Sequence, residues 1–222
     1  MRERVRRVII SFLMLLGAIA SLIVAGYVYY FLTGNRELYG AAFVLLAYSL
    51  LLIKIVKVRV SLGSLRASLI ALLLGSMPLT ASSEFTFPSF SEITMVFIGA
   101  LAEELLFRGV IQAYLDDDIF AVLVTALFFS LAHSLSPYAS LTYLFNIFLA
   151  GLSLGLWKVM GGLLPPTLLH ASWNLAVLSF SRGPQGLASF EGSLEGTAYV
   201  LLITSITSVL YLKGFISRRS SA

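Results

Sequence analysis

Ala102-Glu103-Glu104-Leu105-Leu106-Phe107-Arg108-Gly109 sets two carboxylates and a guanidinium inside a run, Phe90 to Leu115, that otherwise reads as membrane-spanning. A charged side chain at bilayer depth costs roughly 2.5 to 3.5 kcal/mol on insertion scales, so these three would make a poor lipid-facing helix. They are expected to face protein or a water-filled cavity. On a helix, neighbouring residues point about 100° apart, whereas residues four apart share a face. Arg108 can then pair with Glu104, which leaves Glu103 directed elsewhere. The spacing predicts one structural carboxylate and one available for chemistry.

Composition sets the class around this stretch. Of 222 residues, 59% are hydrophobic and 12% charged, and the mean hydropathy is +0.94, far more apolar than the roughly 45–50% usual for a soluble domain. The expectation is an all-α, polytopic transmembrane helix bundle of about eight spans, built as one integral-membrane domain over residues 1–222. Cysteine is absent, so disulfide and thiolate chemistry are excluded, as is a C-terminal prenylation box on the chain itself. The net charge of +4 does not point to nucleic acid. No basic stripe lies on a soluble face, and the cations flank apolar runs instead.

Those cations predict a topology. The expected spans are Val8 to Leu32, Tyr39 to Val56, the short run Ala67 to Leu79, Phe90 to Leu115, Ile119 to Leu135, Tyr138 to Met160, Leu163 to Phe180 and Gly196 to Ile216. Ala18-Ile19-Ala20 resembles a signal-peptidase site, but cleavage there would leave a ragged apolar start, and a retained anchor is expected. With eight crossings, Arg2, Arg4, Arg6, Arg7, Lys54, Lys57, Arg59, Arg66, Lys158, Lys213, Arg218 and Arg219 all lie at inner ends, against Arg36 and Arg182 outside. The positive-inside rule then places both termini in the cytoplasm, in a membrane expected to be that of a prokaryotic cell. Asp116-Asp117-Asp118 falls at an inner turn, where its last acid can cap the following helix.

Two more polar constellations sit inside apolar runs. They are Phe129-Ser130-Leu131-Ala132-His133 and His170-Ala171-Ser172-Trp173-Asn174, and they hold the only two histidines. Helical spacing stacks Phe129 over the face bearing His133 and turns His170 and Asn174 to one side. Counted at about 1.5 Å per residue, Glu103, His133, His170 and Asn174 fall roughly 10 to 21 Å from the inner ends of their spans, so they can share a depth. Any one of them alone reads equally well as an interhelical hydrogen-bond partner. Their coincidence argues for a single site, while Phe129 and Trp173 read first as packing aromatics.

Such a set suits hydrolysis. A carboxylate beside an imidazole can take a proton from water, and an imidazole N–H with an amide NH₂ across the cavity can stabilise an oxyanion. Two histidines and a glutamate could also form a three-ligand zinc site with an open position, although no H-E-x-x-H is present. Further readings are a non-catalytic immunity or scaffold protein and a transporter using Glu103 as a proton relay.

Taken in order, Glu103-Glu104-x-x-x-Arg108, Phe129-x-x-x-His133 and His170-x-x-x-Asn174 resemble the three motifs of the CPBP (CAAX protease and bacteriocin-processing, or Abi) intramembrane proteases, which include type II CAAX prenyl endopeptidases. The resemblance covers about residues 90–180. It implies an endopeptidase acting on membrane-attached peptides or proteins, isoprenylated at a C-terminal cysteine or bacteriocin-like. It further implies that Glu103 and His133 activate the hydrolytic water, that His170 and Asn174 line the oxyanion site, and that Glu104 and Arg108 support the first motif. A glutamate-dependent mechanism without a cofactor is the expectation, with zinc as the runner-up.

Overall fold

The structure is a computed structural model that describes residues 2–33, 40–81, 85–181 and 183–220; Arg36 and Arg182 of the charge map lie outside them. Among the described residues every regular element is helical: α1 (Arg2–Thr33), α2 (Ala41–Val56), α3 (Leu65–Gly75) with a 3₁₀ turn (Met77–Ala81), α4 (Phe90–Glu104), α5 (Ile119–His133), α6 (Leu141–Gly161), α7 (Leu164–Ser181), α8 (Gly183–Glu191) and α9 (Leu194–Ser220). The all-α class is as expected. Two features are not. α4 runs on into a π-helical stretch, Leu105–Gln112, and α8 occupies a segment that the apolar pattern left as a loop.

Arg2–Tyr29, Leu141–Gly161 and Leu194–Gly214 are long and apolar enough to cross a membrane by themselves, while Ala41–Val56, Leu65–Thr80 and Ile119–His133 are shorter apolar helices. Length alone therefore marks three crossings where charge and hydropathy together led to about eight. The contrast is sharpest at α3, whose 11 residues reach only about 17 Å at 1.5 Å per residue. Large apolar side chains such as Val24, Leu51, Leu73, Leu127 and Val209 are exposed, as suits helices that meet lipid instead of water. With the apolar spans, this is the architecture of an integral membrane protein.

The polar ends follow the charge pattern. Arg4 binds Asp118 at 3.0 Å, Lys158 binds Asp117 at 2.7 Å, and Arg7 pairs with Asp116. These contacts gather the start of α1, the α4–α5 turn and the end of α6 at one end of the bundle. Asp118 also accepts from the Ala121 N–H at 2.8 Å and caps α5, satisfying one of the donors a helix start leaves unpaired.

Two arrangements position the site. α4 starts at a capping box, in which Ser89 accepts from the Glu92 N–H and Glu92 reaches back to the Ser89 N–H at 2.7 Å. α7 is held from behind. Its approach from Leu163 and Leu164 donates to the Ser61 and Leu62 carbonyls at 2.9 Å each, and α3 lies along it. The contact is so close that a Cβ at Gly75 would come within 2.0 Å of Ser172 Oγ and 2.3 Å of the Leu169 carbonyl oxygen.

Gly75→Ala is therefore expected to destabilise the bundle by about 1–3 kcal/mol, the usual range for overpacking against backbone. Gly99→Ala, where an added Cβ meets nothing within 4 Å, should cost nothing. Thermal unfolding in detergent, followed by circular dichroism, compares them, and equal melting temperatures would show that α3 does not press on α7 this closely.

Candidate active site

The centre of the site is the first motif, and its two carboxylates part as the spacing predicts. Glu104 and Arg108 are fully buried and pair at 3.0 Å. Arg108 also donates to the Gly151 carbonyl at 3.2 Å, and Gln112, four residues on, donates to the Gly155 carbonyl at 3.1 Å. Two side chains of the π-helical stretch thus grip two carbonyls of α6. The grip needs close approach: a Cβ at Gly155 would lie 2.9 Å from Val122 and 3.1 Å from Gln112, which explains small residues at this crossing. The guanidinium lies over the Phe129 ring, 4.5 Å from its centroid, a favourable seat for a desolvated cation.

Glu103 faces away from that pair, toward His133. His133 Nδ1 lies 2.8 Å from the Phe129 carbonyl oxygen, and because a carbonyl only accepts, Nδ1 carries the proton. In the neutral ring Nε2 is then an acceptor, and it stands 3.9 Å from Glu103 Oε2. That oxygen is buried with no hydrogen-bond partner among the described residues. Two acceptors side by side, neither able to donate to the other, form a seat for a group with two O–H donors, which water is.

The third motif enters on α7. His170 Nδ1 donates to Glu104 Oε1 at 3.0 Å, a contact the sequence reading did not contain. Donation from Nε2 as well would require the imidazolium form. Phe129 packs against both histidines, with ring centroids 4.5 Å from His133 and 5.9 Å from His170. It is more than the packing aromatic it resembled, since one ring seats Arg108 and both imidazoles. Glu103, His133, His170 and Asn174 all line one cavity of about 200 Å³. The structure thus brings together the four residues singled out by type and spacing.

Other lining residues were not expected to belong to the site. Tyr143, Asn146, Trp173 and Glu191 face the same cavity. Trp173 donates its indole N–H to Glu191 Oε1 at 3.2 Å, so this aromatic at helical spacing holds a polar group as well as packing. Asn146 donates at 2.7 Å to the Glu191 carbonyl and at 2.8 Å to Thr197 Oγ1. A polar residue in mid-span was the available signal for Asn146. As for metal, no three His, Cys, Asp or Glu side chains among the described residues are grouped so as to hold one ion. Both Nδ1 atoms meet protein acceptors, which leaves each Nε2 as the ring nitrogen able to meet a water or an ion.

A family model described as type II CAAX prenyl endopeptidase Rce1-like matches residues 86–176, the segment that carries all three motifs. The resemblance read from those motifs is thereby borne out: over this segment the chain is similar to type II CAAX prenyl endopeptidases. No curated protein matches the chain.

The geometry predicts opposite consequences for adjacent residues. Glu104→Gln strips a buried guanidinium and a buried imidazole of their shared anion, and should cost about 3–5 kcal/mol of stability. Glu103→Gln disturbs a partly exposed group with no close partner and should leave the melting temperature near that of the unmodified protein. Equal, large losses would mean that both carboxylates are structural.

Proposed function

We propose that this Rce1-like core hydrolyses a peptide bond in membrane-attached substrates that carry an isoprenyl chain near the C-terminus, using water activated by Glu103 and His133. The observation that carries the reading is the shared cavity: an acceptor pair, Glu103 and His133, and a donor pair, His170 and Asn174, line the same space. Water donates one hydrogen to Glu103 and one to His133 Nε2. As its oxygen attacks the substrate carbonyl, Glu103 takes the proton. The carbonyl oxygen, gaining negative charge, is met by His170 Nε2–H and the Asn174 amide.

The surroundings favour a lipidated substrate. A second, largely apolar cavity of about 380 Å³ reaches Glu103 and His133 from another direction, lined by Leu15, Ile19 and Leu45 of α1 and α2 and by Leu106 and Phe107. Such a lining suits an apolar chain, burial of which contributes about 0.8 kcal/mol per CH₂. The scissile carbonyl of the same molecule would lie at the polar cavity. Because Asp116, Asp117 and Asp118 bind cations of α1 and α6 at one end of the bundle, we place that end, with the N-terminus, in the cytoplasm.

Each acting group in this scheme is a side chain of the protein, and no step uses a metal. Purified protein in detergent, given an S-farnesylated CAAX reporter peptide, should release the C-terminal fragment, and Glu103→Gln should abolish release. Asn174→Ala should lower kcat by about 10²- to 10³-fold with little change in KM, the usual loss for one oxyanion donor. Activity should persist after exhaustive chelation. Stoichiometric zinc in elemental analysis, with activity lost on its removal and restored on its return, would instead make Glu103, His133 and His170 metal ligands.

A further inference from the structure

Glu191 ends α8 and is only 9% exposed, yet it lines the same cavity as Glu103. The hydrolytic scheme above gives it no task. The two carboxyls come from different walls: α4 packs on α2 and α7, whereas α8 packs on α6, α7 and α9. Their surroundings also differ. Glu103 has an imidazole beside it and a cationic cluster behind it. Glu191 has an indole N–H on Oε1, apolar neighbours, and no ion pair among the described residues.

Its placement is built from three elements. Asn146 of α6 holds the Glu191 main-chain carbonyl and ties it to Thr197 of α9, while Trp173 of α7 holds the side chain. Trp173 packs on Phe190, ring centroids 6.0 Å apart, and Phe190 on Tyr199, 6.2 Å apart. A carboxyl fixed in this way is preorganised for contact with whatever enters the cavity. The titratable groups around it are His170 of α7, Tyr143 of α6 and, across the cavity, Glu103.

Hydrolysis of an amide needs such a group. Once the tetrahedral intermediate forms, the carbon–nitrogen bond breaks only as its nitrogen gains a proton, because an amide anion is too basic to leave. Two carboxyls held in unlike environments at one cavity divide naturally into base and acid.

We propose that Glu191 is the general acid of this hydrolysis, a proposal that rests on the reading of Glu103 as the base. Glu103 removes one proton from water as the water oxygen bonds to the carbonyl carbon. When the carbon–nitrogen bond breaks, its electron pair stays on nitrogen, and the Glu191 proton goes to that nitrogen. The products are a new carboxyl terminus and an amine. The proton taken by Glu103 then passes through the cavity to Glu191, returning both groups to their starting state. α8 lies outside the spanning segments, and burial, partly offset by the Trp173 hydrogen bond, raises the Glu191 carboxyl to about 7. An acid with that value still holds its proton near neutral pH and gives it up readily.

The test is dependence on the leaving group. A farnesylated reporter peptide is compared with its analogue in which a thioester replaces the scissile amide, since a thiolate departs without a proton. Glu191→Gln keeps the shape and an acceptor for Trp173 but has no acidic proton. It should lower kcat for the amide by about 10²-fold, leave KM unchanged and spare the thioester, and Glu191→Asp should restore part of the amide rate. Equal loss on both substrates, or loss on neither, overturns the proposal. Glu103→Gln should stop both; if it stops neither, the hydrolytic reading itself fails, whatever Glu191 does. Infrared difference spectra of the unmodified protein slightly below neutral pH provide a readout that needs no substrate. A protonated-carboxyl band that disappears in Glu191→Gln supports the assignment, and its absence from the unmodified protein overturns it.

Discussion

The buried pair of Glu104 and Arg108 is the constraint on which the site depends. Neither charge can reach water, so each must be met inside the bundle, and the demands of the two recruit four helices. Glu104 draws in His170 from α7. Arg108 takes the Gly151 carbonyl from α6 and lies on Phe129 from α5. Breaking one partner would leave the other uncompensated in a low-dielectric interior, which makes the set cooperative. Fixing the guanidinium against α5 and α6 also fixes the rotation of α4, and that rotation turns Glu103 into the cavity. The neighbouring carboxylate is thus free for chemistry because Glu104 is not.

Much of this was legible in the chain. Charges in an apolar run have few permitted places, so Glu103, Glu104 and Arg108 announced an interior site. Spacing by four paired Glu104 with Arg108 and stacked Phe129 near His133. The acidic turn was legible for a similar reason, since an aspartate before an apolar helix has backbone N–H groups to cap, as Asp118 does. Each of these inferences used only local geometry and the cost of burying charge.

The remainder needed the third dimension. The bond from His170 to Glu104 joins residues 66 apart, and helical periodicity cannot reach across two helices. The π-helical stretch after Glu104 has no local sequence signature, because its stabilisation comes from Arg108 and Gln112 gripping α6. α8 was missed because it falls between the apolar runs that end at Phe180 and start at Gly196, where hydropathy marks no element. With α8 went Glu191, an acid that looked like any loop residue until its burial placed it at the cavity. The short α3 was visible but understated. Its importance lies in the contact of Gly75 with α7, which hydropathy does not record.

The central claim is that adjacent carboxylates divide the work, Glu104 holding the helices and Glu103 handling the water. A structure of the protein with a lipidated phosphinic peptide, whose tetrahedral phosphorus imitates the hydrolytic intermediate, tests it most directly. The account predicts one phosphinate oxygen against Glu103 and His133, the other between His170 and Asn174, and Glu104 still bonded to Arg108 and His170. A phosphinate bound to Glu104, or bridged to Glu103 and both histidines by a metal ion, would contradict it.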